Sequence, residues 1–117
     1  MAKMPKDYGK RKFRAFARKN RLRLARGEDG FPVILARGKE YEGCHLYDGF
    51  GNTHVGLYVA RPTTFKMSHT YGALKRMGLE PIALGDLEGT FKIPYKMVMK
   101  IARKFKMVKR KVNRKAK

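Results

Sequence analysis

Nearly all of the excess charge of this chain lies at its two ends, and that partition limits what the chain can fold into. Residues 1–26 carry eleven Lys and Arg against one acid, residues 93–117 carry eleven against none, and the stretch between them carries seven against eight. A segment so rich in cations joins a core only if its apolar residues recur on one face. The chain is therefore expected to divide into a basic N-terminal helix or arm over 1–26, a small core over 27–110 that ends in a basic amphipathic helix, and a basic disordered tail over 111–117.

Both ends contain such a face. In "GKRKFRAFARKNRLRLA", residues 9–25, Phe13, Phe16, Ala17 and Leu24 fall near one side of a helix. Near the other end Pro94 suits a first helical turn, and Val98, Ile101, Phe105 and Val108 follow at 3,4,3 spacing. Lys96, Lys100, Arg103, Lys104, Lys106 and Lys109 occupy the remaining faces of that helix.

The neutral middle reads mainly as strands. "FPVILAR" is an apolar run of strand length, with Pro32 suited to its first residues or to a sheet edge. "YEGCHLYDGFGNTHVGLYVA" reads as two strands around a turn at 48–52, in which Val55, Leu57 and Val59 alternate onto one face and Tyr58 onto the other. A helix follows: Pro62 can open it, Met67, Tyr71 and Leu74 recur along it, and Gly78 suits a left-handed C-terminal cap. "LEPIAL" and "LEGTFKI" are two further strands joined at Gly85-Asp86, with Leu87, Phe91 and Ile93 on one face. The expected order is α-β-β-β-α-β-β-α: an α+β fold with a mainly antiparallel sheet of about four to five strands packed against helices. No internal repeat or low-complexity linker interrupts it.

Catalytic patterns are lacking. Cys44 and His45 are neighbours, so a strand would turn them to opposite faces, and His54 and His69 stand at no paired-ligand spacing. "HLYDGFGNTH" lacks the acid-histidine pair of H-N-H nucleases, and the acids Glu28, Asp29, Asp86 and Glu88 read as turn residues. No phosphate-loop pattern occurs. The chain is expected to be non-enzymatic, with no metal and no cofactor. A single cysteine excludes an internal disulfide, and the longest apolar run, residues 31–36, is far shorter than a membrane span. A cytoplasmic, intracellular protein with no membrane partner is expected.

A net charge of +20 on 117 residues points to a polyanion. The expected partner is nucleic acid, DNA or RNA, gripped by its phosphates with little sequence preference. Arg11, Lys12, Arg14, Arg18, Lys19, Arg21 and Arg23 are expected to form one contact surface, and Lys100, Arg103, Lys104, Lys106, Lys109, Arg110 and Lys111 the other. Tyr47, Phe50 and Tyr58, clustered about the hairpin, are candidates for base stacking.

"RLARGEDGFPVIL" and "ALKRMGLEPIALGDLEGTFKIP", followed by a basic helix, resemble the small uncharacterised basic proteins of tailed phages over about residues 22–110. The resemblance implies no activity and transfers no functional residue. Two alternatives stand beside the direct reading. One is a phage-type inhibitor or modulator of a host nucleic-acid enzyme (polymerase, nuclease or CRISPR effector), acting in the host cytoplasm within a nucleic-acid-processing complex. The other is a ribosomal or ribosome-associated protein.

Overall fold

Six short strands and three ten-residue helices alternate along the chain in the computed structural model, which describes residues 10–27, 29–38, 41, 43–60, 67–85 and 88–109. In order they are α1 (Lys10–Lys19), β1 (Leu24–Arg26), β2 (Pro32–Leu35), β3 (His45–Phe50), β4 (His54–Ala60), α2 (Met67–Arg76), β5 (Glu80–Leu84), β6 (Glu88–Pro94) and α3 (Tyr95–Lys104). The strands form one antiparallel sheet in the order β1-β2-β3-β4-β6-β5.

Register decides which residues become core. Leu24, Ile34, Leu46, Leu57 and Phe91 line up across five strands, and the last four of them are fully buried. They join Val55, Val59 and Ile93 from the strands, Phe13 and Ala17 from α1, Leu74 from α2, and Val98, Ile101 and Ala102 from α3 in one apolar cluster. All three helices therefore pack on the same face of the sheet. Side chains alternate across a strand, so the rows in between, Val33-Tyr47-Gly56-Lys92 and Leu35-His45-Tyr58-Thr90, point to the face that no described helix covers.

The α+β class and the antiparallel sheet agree with the sequence reading, but the strand count does not. The sheet has six strands rather than four to five, the added one being β1. The helix expected over 9–25 ends at Lys19, because Arg21 takes a left-handed φ of 58°. Leu24 thus reaches the core face from a strand instead of a helix. Val108 lies past the end of α3, where it forms a bridge with Leu22. The hairpin turn falls at 51–53, after a bulge between Tyr47 and Phe50, rather than at 48–52. Pro62, Asp86, Leu87 and the tail over 111–117 lie outside the described residues.

Every helix ends in the same way. The Leu22 N–H donates to the Ala17 carbonyl at 2.8 Å and the Arg21 N–H to Arg18 at 3.3 Å. In α3 Met107 donates to Ala102 at 2.7 Å and Lys106 to Arg103 at 3.3 Å; in α2 Leu79 donates to Leu74 at 3.2 Å and Gly78 to Lys75 at 2.9 Å. This is the paired 6→1 and 5→2 bonding of a Schellman cap, closed each time by two buried apolar residues. The left-handed position holds Gly78 in α2 but Arg21 and Lys106, at φ 58° and 57°, in the other two. The short sequences "ARKNRL", "LKRMGL" and "ARKFKM" are therefore three versions of one helix end.

Candidate nucleic-acid interface

The cap motif brings the two basic ends of the chain together. Leu22 pairs with Val108 across an antiparallel bridge, flanked by bonds from the Arg23 N–H to the Met107 carbonyl at 2.9 Å and from the Lys109 N–H to the Arg21 carbonyl at 2.8 Å. The Arg37 N–H reaches the Lys106 carbonyl at 2.9 Å, and the Leu35 N–H reaches Arg23 at 3.0 Å. Segments separated by more than eighty residues thus share one backbone seam at the margin of the sheet. Phe16, in the second half of α1, packs edge-on against Tyr95, the first residue of α3, with ring centroids 5.2 Å apart. The carboxyl ends of α1 and α3 meet at the seam. Arg18-Lys19 and Arg103-Lys104, in the last turns, place cations beside the negative ends of both helix dipoles.

The expected contact residues only partly gather. Arg18, Lys19, Arg21, Arg23, Arg103, Lys104, Lys106 and Lys109 cluster by backbone position at the two helix ends, and all but the half-buried Arg23 are exposed. Lys100 lies a turn away on α3, also exposed. Lys12 is engaged elsewhere: its ammonium donates to the Asn52 carbonyl at 2.6 Å and lies 4.4 Å from the centre of the Tyr95 ring. Arg11 is exposed on α1, Arg14 is half-buried there, and Arg110 and Lys111 lie outside the described residues.

The uncovered face of the sheet is aromatic. His45 and Tyr58 are direct cross-strand partners with ring centroids 5.2 Å apart and planes inclined by 31°. Tyr47 stands 6.0 Å from His45 and 6.2 Å from Phe50, and the Lys92 ammonium lies 5.7 Å from the Phe50 ring centre. The Tyr47 ring lies directly over Gly56: a Cβ there would come within 2.1 Å of the ring. The Tyr58 hydroxyl donates to Glu88 at 2.8 Å. Phe31 and Leu35, 46% and 40% exposed, extend the apolar surface toward β1. Of these residues, His45, Tyr47, Tyr58, Phe31 and Leu35 border an open cleft of about 800 Å³ that reaches Arg26, Asp29, Asp48 and Thr90.

A second, more polar cleft of about 400 Å³ lies on the other side of β1, lined by Arg14, Arg18, Leu24, Ala25, Arg26, Gly30 and Pro32. Three of these lining residues are arginines. Arg26 and Pro32 line both clefts, so the two adjoin at the β1 margin of the sheet. Arg26 is absent from the contact residues expected from sequence. The sequence carried no signal for it: the Arg-Leu alternation of residues 21–24 breaks at Ala25, which leaves Arg26 on the parity of the leucines.

The reactive groups are held in their neutral forms. Burial pushes the Cys44 thiol up, partly offset by a bond to the Ala60 carbonyl at 3.7 Å. Its neighbour His45 points to the opposite, open face, as alternation requires. The bond to Glu88, with some burial, raises Tyr58, and burial raises Tyr47, so both rings remain uncharged phenols at neutral pH. His54 Nδ1 lies 2.8 Å from the Thr53 hydroxyl. Among the described residues no three His, Cys, Asp or Glu side chains gather where a metal could be held, and no helix is long and apolar enough to cross a membrane.

No known protein family, curated protein or solved structure matches the chain.

Proposed function

We propose that this protein binds nucleic acid by its phosphate backbone, without catalysis and with little sequence preference. The observation that carries the reading is the seam at Leu22 and Val108, which gathers cations from both ends of the chain at one margin of the fold. Like charges brought this close oppose folding, and the carboxyl ends of α1 and α3 offset only part of that cost. A polyanion offsets the rest, because each cation that meets a phosphate releases a condensed counterion.

Affinity for a labelled single strand, measured across salt concentrations, tests this. About six phosphate contacts predict a log-log slope of roughly −4. A slope near zero removes the proposal.

A further inference from the structure

The open sheet face is aromatic and is covered by no described helix, and it adjoins a cleft bordered by three arginines. We infer that it is a single-strand binding platform: a phosphate is held among Arg14, Arg18 and Arg26, and the strand turns round the β1 margin to stack unpaired bases on Tyr47, His45 and Tyr58. This rests on the phosphate-binding reading above and names its ligand as nucleic acid with exposed bases.

Three observations support that occupant over a duplex or a protein. First, Arg26 lines both clefts, so a chain leaving the arginine site is already at the mouth of the aromatic one. Alternating charge and π-faces at adjacent sites is the chemistry of a single strand, whose phosphates and bases are both accessible; a duplex presents its bases edge-on inside grooves. Second, the rings are fixed before any ligand arrives. Tyr47 is seated over Gly56, Tyr58 is tethered to Glu88, and the His45 ring lies tilted against Tyr58. Rings ordered in advance lose little entropy on stacking. Third, two acids stand at the face. Asp29 accepts the Phe31 N–H at 3.0 Å and Glu88 accepts the Tyr58 hydroxyl. Carboxylates here repel a phosphate laid flat on the sheet, which directs the backbone to the arginine margin and leaves the face to the bases.

The test compares four probes of equal length against the full chain: oligo-dT, oligo-U, an abasic deoxyribose-phosphate oligomer, and a duplex. Base-bearing single strands are expected to bind tenfold or more tighter than the abasic oligomer at the same salt. They are also expected to quench tyrosine fluorescence, which is readable because the chain has no tryptophan. Tyr47→Leu and Tyr58→Leu should each lower oligo-dT or oligo-U affinity about fivefold or more and leave abasic binding nearly unchanged. Arg26→Ala should weaken all single-stranded probes and lower the salt slope by about 0.7. The preferred sugar is read from the first two arms. Equal binding of base-bearing and abasic strands with a steep salt slope overturns the inference while the phosphate-binding proposal stands. Tighter binding of the duplex overturns it as well. A flat slope for every probe removes both. The probe comparison uses the unaltered protein, so it decides the matter even if a tyrosine variant fails to fold.

Discussion

Gly56 and Gly89 lie on the neighbouring strands β4 and β6, and each is buried beneath a tyrosine ring, but the rings come from opposite faces of the sheet. On the helix face a Cβ at Gly89 would meet the Tyr71 ring at 2.6 Å; that ring packs 5.8 Å from Phe91, and its hydroxyl donates to the Gly85 carbonyl at 2.9 Å. On the open face Gly56 receives the ring of Tyr47, whose other neighbours are the half-buried His45 and Phe50. The same device, a glycine seat under an aromatic ring, therefore serves two ends. Under the helices it closes a core. On the open side it seats a half-buried ring on the sheet. Neighbouring residues of single strands repeat the contrast: Leu46 with Tyr47, Leu57 with Tyr58, and Phe91 with Lys92.

The comparison breaks most visibly at Phe91. Phe91→Ala empties a fully buried site and should cost about 3–5 kcal/mol in a denaturant titration. Tyr58→Leu on the open face should cost under about 1 kcal/mol, since exposed or half-exposed sites tolerate change. Similar losses at the two sites would mean that the open face is covered in solution.

The glycines give the next effect. Gly89→Ala should destabilise by about 1–3 kcal/mol, because Tyr71 cannot move without leaving Phe91 and Gly85. Gly56→Ala should cost less, because the Tyr47 ring can swing toward solvent, yet it should weaken single-strand binding by displacing that ring. A Gly56 variant with unchanged oligonucleotide affinity would show that the seat has no part in binding.

Tyr95, where α3 leaves the sheet, sharpens the account of the covered side. Its hydroxyl is buried with no hydrogen-bond partner among the described residues, and burial, with Asp48 nearby, pushes its pKa up from 10.0 to about 12. Tyr95→Phe removes that unpaired group and should stabilise by about 1 kcal/mol. The folded protein keeps the Tyr95 proton where the unfolded chain has released it. The associated stability is intact below pH 10 and lost as pH rises toward about 12. Denaturation of wild type and Tyr95→Phe across that window should show the smaller decline in the variant.

The smallest effect concerns the helix ends. Arg21→Gly and Lys106→Gly relieve a left-handed strain of about 1–2 kcal/mol, offset by the greater freedom of glycine when unfolded and by the lost cation at the helix dipole. A net gain of about 0.5 kcal/mol each is expected, together with weaker polyanion binding. Stability and affinity that fall together would show these cations to be structural.

How much of this was legible depended on whether the signal was local. Val55, Leu57 and Val59 alternate without interruption, and their burial followed directly. The stripe Val98, Ile101 and Phe105 likewise found the core. β1 was missed because its three residues continue a run of apolar and basic positions that also suits a helix. The cap that ends α1 was hidden because Arg21 stands where glycine ordinarily marks such a turn. For the same reason the repeated helix end went unseen, with Gly78 its only conspicuous member. Tyr47, Phe50 and Tyr58 were identifiable by type and alternation, but His45 as their partner required the β3-β4 register. The seam and the sharing of Arg26 between two clefts are long-range consequences of the fold, beyond the reach of any window of local sequence.

The most direct measurement follows backbone amide and aromatic resonances of the labelled protein during titration with a short single-stranded oligonucleotide. The account predicts shifts at the basic helix ends, 14–26 and 103–109, together with shifts at 31–35, 45–48 and Tyr58 on the open face, with Leu57, Phe91 and Ile101 on the covered face nearly still. Shifts confined to the helix ends, with the open face unmoved, would contradict the stacking platform and leave a phosphate grip alone.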